Sequence, residues 1–258
     1  MKLSKKFLIS TIMITACAFT FAQTSQVQGS SSYDEVETSV ESDYLNDLVG
    51  ESISAMADAD DLDTKLQALS AVSQAIESGN RSQAVLDSLD KLAGEGITSE
   101  VRKRGRKMNE FPQIRREACL ILGQVPTEHS KNTLVRIARE DKEPMVVSAA
   151  IKALGDIAEE VGCVDEAVDA ICYFNAKKNV MNPTSSLAHE VLFALEKLGP
   201  SASNRKQIID TIAVIASNYN YNTAVRLKAI SLLTEMASAN TSSSSDSADD
   251  EVVEVSEK

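Results

Sequence analysis

The sequence predicts an all-α protein, an α-solenoid of about five antiparallel helix pairs. Three observations carry that prediction. Five segments share one apolar pattern at i, i+4 and i+8, the inner stripe of an amphipathic helix. A further helical pattern lies between each pair of successive copies, so that the repeating unit is a helix pair. The chain has no Trp and few aromatics among its 258 residues. Ala, Leu, Val and Ile must therefore build the core, which suits closely packed helices better than a β-sandwich.

The elements follow in order. Residues 43–59, DYLNDLVGESISAMADA, read as a helix covering the N-terminal end of the array. The first copy is TKLQALSAVS, with Thr64, Ala68 and Val72 in the shared columns, followed by a second helix over QAVLDSLDKLAG. The next copy, FPQIRREACLILG, places Ile114, Ala118 and Leu122 in register and is followed by SKNTLVRIARE. EPMVVSAAIKALG then supplies Val146, Ala150 and Leu154, with DEAVDAICYF as its partner. SLAHEVLFALE supplies Leu187, Val191 and Leu195, and RKQIIDTIAVIAS returns with Ile208, Ile212 and Ile215. The last copy, AVRLKAISLLT, carries Val225, Ala229 and Leu233 and covers the far end. Asn109, Asp141, Asn182 and Asn220 recur before the copies, as turn and N-cap residues do. Pro112, Pro144 and Pro183 stand near helix starts, where a missing N–H costs little.

In this register the pattern D/N-x-x-P-x-V-R-x-x-A-x-x-x-L-G resembles the HEAT-repeat family, including its short bilin-lyase-like branch. NEFPQIRREACLILG matches it almost throughout, and DKEPMVVSAAIKALG departs only where Val147 replaces the Arg. YNTAVRLKAISLLT keeps Val225 and Arg226 without the Pro and Gly. TKLQALSAVS is weaker, with Lys65 in the Arg column. The resemblance covers about residues 45–238. It implies a curved, right-handed stack of antiparallel helix pairs with a binding or scaffolding role and no particular ligand. It also implies that the Arg column, here Lys65, Arg115 and Arg226, pairs with the Asn/Asp column, Asn109, Asp141, Asn182 and Asn220, as an inter-repeat hydrogen-bond ladder. Val147 and Ala188 interrupt that column. Contact with a ligand is the other reading of these residues.

The flanks differ in character. Residues 1–22 read as a signal peptide of a bacterial exported protein, with Lys2, Lys5 and Lys6 ahead of the apolar run FLISTIMITACAF and small residues at Thr20 and Ala22. ITAC also resembles a lipoprotein box, in which Cys17 would be lipidated. The residues after it stay apolar, which favours soluble periplasmic export over a lipid anchor. Residues 23–42 are Ser-rich and polar and read as a disordered linker. Residues 239–258 read as a disordered acidic tail. The repeat domain is thus expected over 43–238, and no transmembrane helix is expected in the mature chain.

Chemistry is sparse. The formal net charge is −12, which argues against nucleic acid as a partner. Cys119, Cys163 and Cys172 form no CxxC or Cys/His cluster, so no metal and no cofactor is expected. Cys119 and Cys172 fall at apolar helix positions and read as small buried hydrophobes. His129 and His189 have no triad, phosphate loop or ligand pair around them. Acidic pairs such as Asp60-Asp61 and Glu159-Glu160 read as solvated helix ends. The expectation is therefore a non-enzyme, with a lyase-like activity as the weakest alternative.

One stretch stands apart. The spacing from the first copy to the second is the longest in the array, and the excess, residues 95–111, holds a basic knot: Arg102, Lys103, Arg104, Arg106 and Lys107. Two short strands around Arg104-Gly105 fit it, and so does a loop with one helical turn. Three roles compete: a solvated loop, a clamp for the chain's own acidic tail, and a docking site for an anionic partner. The docking reading takes Arg102, Lys103, Arg104, Arg106, Lys107, Arg115 and Arg116 as the contact set, since guanidinium forks suit carboxylates and phosphates. The function expected is an exported scaffold or protein-binding module. The alternative is an envelope protein that recognises anionic lipid or wall polymer.

Overall fold

The computed structural model describes residues 40–179 and 183–245. The signal stretch with Cys17, nearly all of the expected linker, Asn182 and residues 246–258 lie outside them. The described residues form ten α-helices and one two-stranded hairpin. The helices are α1 (Val40–Ala57), α2 (Leu62–Glu77), α3 (Gln83–Ala93), α4 (Pro112–Leu122), α5 (Glu128–Glu140), α6 (Pro144–Val161), α7 (Val164–Phe174), α8 (Ser185–Leu198), α9 (Arg205–Ser217) and α10 (Thr223–Ser245). The hairpin, β1 (Arg102–Lys103) with β2 (Arg106–Lys107), sits between α3 and α4. A single π-helical turn, Asn175–Asn179, extends α7.

The helices form two layers. The five helices predicted from the shared pattern, α2, α4, α6, α8 and α10, stack side by side as one layer, and α1, α3, α5, α7 and α9 as the other. Each helix is followed by one running back, so all members of a layer point the same way. This is the α-solenoid of sequential helix pairs that the periodicity predicts. Two end elements are longer than expected. α1 begins at Val40, inside the predicted linker, and α10 runs to Ser245, past the predicted boundary at 238.

Local chemistry sets the helix starts. Asp61 accepts from the Thr64 N–H at 2.8 Å ahead of α2, and Thr127 from the Ser130 N–H at 3.1 Å ahead of α5. Pro112 and Pro144 occupy the first turns of α4 and α6. The thiol of Cys119 and that of Cys172 are buried as expected, and the three cysteines among the described residues are free. Burial pushes the Cys119 thiol well above the ordinary thiol range, and the nearby Asp141 charge pushes the same way. It therefore packs as an inert hydrophobe.

The shared apolar columns face the interior. Ile114, Ala118 and Leu122, Val146, Ala150 and Leu154, and Leu187, Val191 and Leu195 are all buried. In α10 the pattern shifts: Val225 and Ala229 are buried, but Leu232 rather than Leu233 takes the deep position. The Leu-Gly column has a packing reason. A methyl group at Gly123 would sit 2.9 Å from the Ala153 Cβ, and one at Gly155 would sit 3.0 Å from the Ala194 Cβ. Glycine on one helix against alanine on the next lets α4, α6 and α8 approach closely. One repeat later the glycine column holds Glu196, which pairs with Lys228 of α10 at 2.6 Å. A cavity of about 240 Å³ lies beside this seam, bordered by Leu195, Gly199, Leu232 and Met236.

Gly155→Val should therefore force α6 and α8 apart. The expected loss is about 1–3 kcal/mol of unfolding free energy, typical of overpacking, and urea denaturation followed by circular dichroism measures it.

Candidate functional site

A buried polar ladder runs under the basic hairpin. Arg115 of α4 is 2% exposed, and its Nε donates to Asp141 Oδ2 at 2.7 Å while Nη2 donates to Oδ1 at 3.2 Å. This is a two-point fork that a lysine could not make. Asp141 lies in the turn between α5 and α6 and also accepts from the Glu143 N–H at 2.8 Å. Arg115 Nη1 reaches the other way, to the Glu95 carbonyl at 3.2 Å. The Glu95 side chain accepts from Lys65 Nζ of α2 at 2.8 Å, and the same ammonium donates to the Ala57 carbonyl at 2.8 Å. Lys65, Glu95, Arg115 and Asp141 are all buried, so one connected chain of charge spans α2, the root of the insertion, α4 and the turn before α6.

Several predicted rungs are placed differently. Val147 and Ala188, which hold the column in α6 and α8, are buried among apolar neighbours. Among the described residues Arg226 makes no carboxylate pair: its Nε donates to the Ala216 carbonyl at 3.4 Å, and its guanidinium lies 5.0 Å from the Tyr219 ring centroid. Asn109 does not bridge repeats. It closes the foot of its own insertion, accepting from the Val101 N–H at 2.9 Å and donating to the Ser99 carbonyl at 2.6 Å. Asn220 is exposed, and its N–H donates to Asn218 at 3.0 Å, while Asn222 caps α10 by accepting from the Val225 N–H at 2.9 Å. An asparagine-rich turn offers several competing capping carbonyls, and spacing does not choose among them.

Glu95 was missed as a rung because it lies at the edge of the irregular insertion. Its position supplies the signal: it follows the end of α3 as Asp141 follows the end of α5. Lys131 of α5 was missed too. It joins Glu128 at 2.5 Å to Glu166 of α7 at 2.8 Å, and the two carboxylates hold its ammonium charged above the ordinary lysine range.

The arm itself is a tight hairpin. Arg102 pairs with Lys107 and Lys103 with Arg106, and Arg104 and Gly105 form the turn with φ of 52° and 79°. Positive φ at both turn residues matches the right-handed twist of a two-residue hairpin. The Met108 N–H donates to the Val101 carbonyl at 2.8 Å and extends the ladder by one pair. Gly96, at φ 69°, lets the chain pass where a side chain would collide with the Asn109 carbonyl 2.3 Å away. Ile97 and Phe111 pack against the core and root the arm.

Pleating sorts the cations. Arg102 and Lys107 share one face: Arg102 pairs with Glu100 at 3.0 Å, and the Lys107 stem packs toward Gly96. Lys103 and Arg106 share the other face, with Arg104 at the tip. These three have no carboxylate within ion-pair distance among the described residues. Arg116 pairs with the adjacent Glu117. Arg115 leaves the docking set altogether, because its guanidinium is spent on Asp141 and Glu95 under the surface. Beside the arm lies a cleft of about 400 Å³, bordered by Asp58, Asp60, Asp87, Asp90 and Val101, with Lys65 and Glu95 at its floor. Asp90 collects Thr133, Arg136 and His129, and Asp58 pairs with Lys91. His129 and His189 are both exposed. Among the described residues no grouping of His, Cys, Asp and Glu is arranged to hold a metal ion.

Residues 107–172, from β2 through most of α7, match the family model of HEAT repeats. That match supports the HEAT-repeat family. The matched span contains the Arg115–Asp141 rung and the Gly123–Ala153 seam. No curated protein matches the chain. Among solved structures, the chain is similar to a de novo designed 16-helix transmembrane nanopore, at 16% identity, over 78% of this chain and 55% of that one. The chain thus spans little more than half of the designed protein's length, and a TM-score of 0.18 carries no argument about either fold or role. No helix among the described residues is long and apolar enough to cross a membrane.

The buried ladder predicts its own energetics. Asp141→Ala leaves a buried guanidinium without its carboxylate and should cost about 3–5 kcal/mol. The double variant R115M/D141L should lose much less than the sum of the single changes. A double-mutant cycle by chemical denaturation checks both expectations.

Proposed function

We propose that this chain is a non-enzymatic, exported HEAT-repeat module whose basic hairpin docks an anionic surface of another protein. HEAT repeats are helical scaffolds and protein-binding modules, and the repeat match supports that coarser reading. The finer reading rests on one observation: both cross-strand pairs of the hairpin, Arg102 with Lys107 and Lys103 with Arg106, set like charges directly opposite each other. Such pairs destabilise a ribbon. The turn adds to this, because Arg104 holds a left-handed conformation that costs an ordinary L-residue about 1–2 kcal/mol. The rest of the arm is built to keep the ribbon formed despite this, through Asn109, Gly96, Ile97 and Phe111. An anion laid across Lys103, Arg104 and Arg106 relieves the repulsion, so binding and hairpin stability favour the same state. The N-terminal stretch, with its lysines and apolar run, supports an exported, periplasmic location.

Partner recovery by crosslinking from envelope extract should fall sharply for K103E/R104E/R106E. It should fall only modestly for R104N, because Asn accepts the left-handed turn more readily than Arg. Both variants should keep the parent's thermal midpoint. Recovery of the same partners by the charge-reversed protein would sink the reading.

A further inference from the structure

The outward face of the hairpin carries more than charge. By the pleat, Val101 and Met108 share it with Lys103 and Arg106. Both apolar side chains are about half exposed, at 45% and 51%. The surface therefore reads, from root to tip, as an apolar pair, a cationic pair and a single cation. A segment that fits it interleaves carboxylates with β-branched apolar residues. The densest such segment of the chain is D-D-E-V-V-E-V, Asp249 to Val255, with three valines among four acids; D-E-V-E-T-S-V-E, Asp34 to Glu41, is a sparser one. Residues 246–258 hold six acids against Lys258 alone.

Reach decides whose segment can dock. The arm precedes the start of α4, and α10 lies three helices further along the same layer, about 27 Å away at ordinary interaxial spacing. α10 then runs 23 residues away from that edge, about 34 Å. The end of α10 at Ser245 is thus more than about 40 Å from its own arm. Glu254 lies nine residues beyond Ser245, a span of at most about 32 Å when fully extended. An extended stretch from Ser245 to Glu254 thus falls short of the root of its own arm, and reach favours a second copy.

We infer that the acidic segment 249–255 of one copy docks on the basic hairpin of a second copy, with Val253 on Val101 and Met108, Glu251 on Lys103 and Arg106, and Asp249 on Arg104, the three residues that share one face of an extended segment. The inference rests on the docking-arm reading and names its occupant. Of the carboxylates in the neighbouring cleft, Asp58 and Asp90 are paired with Lys91 and Arg136, while Asp60 and Asp87 have no cation partner among the described residues and compete for the arm's cations. Exposed pairs contribute little each, so the association is weak and salt-dependent.

Sedimentation equilibrium of the full chain tests this. At about 50 mM salt the wild type should self-associate, and at about 500 mM salt the association should weaken by about tenfold or more. K103E/R106E and E251K/E254K should each sediment as monomers alone. An equimolar mixture of the two should associate again, because each supplies the half that the other has lost. A monomeric wild type at low salt, or an assembly unmoved by E251K/E254K, overturns the inference. If the arm reversal still abolishes partner recovery in that case, the docking reading stands without its self-partner. If it does not, both fall together.

Discussion

The fork between Arg115 and Asp141 is the contact around which the N-terminal half of the array is organised. It is buried, two-pointed and shared: the same guanidinium that holds the turn before α6 also holds the Glu95 carbonyl at the root of the insertion. A buried charge is costly unless paired and hydrogen-bonded. Both ends of the fork are therefore fixed by neighbours, Asp141 by the Glu143 N–H and Glu95 by Lys65. Apolar stacking alone would let successive helix pairs slide, since hydrophobic burial has no preferred direction. The ladder supplies the direction, and the insertion leaves the layer at a point where the register is locked.

That placement explains how an unstable ribbon is carried. The hairpin is short, with like charges facing across it and an arginine in a left-handed turn. A hairpin of this kind has little intrinsic stability. Its foot, however, is tied by Asn109 to Ser99 and Val101, and its flanks are packed through Ile97 and Phe111. The array provides order at the root, and the tip is left with cations that have no carboxylate partner among the described residues. Sites that bind charged partners commonly depart from local stability in this way, because the compensating charge arrives with the ligand.

Much of the fold was legible in the sequence because it depends on periodicity. The columns of Ile114, Val146 and Leu187 give the buried stripe, and the return helices follow from Leu134, Val168 and Ile212. The Arg115–Asp141 pair was legible only through the family resemblance, since nothing in the spacing of two residues 26 apart says that they touch. The opposite errors have one cause. Asn109 and Asn220 occupy the right column, but a side chain in a turn bonds to whichever backbone group is nearest, and the insertion and the asparagine-rich turn offer closer ones. Glu95 stands outside the repeat pattern and so was invisible to it. The split of the basic knot into outward and inward cations needed the strand register. That register follows from placing the turn at Arg104-Gly105, one of two local structures the sequence allowed.

The interruption of the ladder at Val147 and Ala188 has a mechanical consequence. Up to Asp141, neighbouring repeats are joined by buried contacts that resist shear. From α6 onward, the first layer is held by close glycine–alanine contact, apolar burial and solvent-accessible ion pairs, Lys197 with Asp156 and Lys228 with Glu196, and its last seam substitutes Glu196 for glycine beside a cavity. Such contacts resist separation but yield to small rotations. Buried charge thus fixes the register where the arm is mounted, and packing with solvent-accessible ion pairs fixes it toward α10.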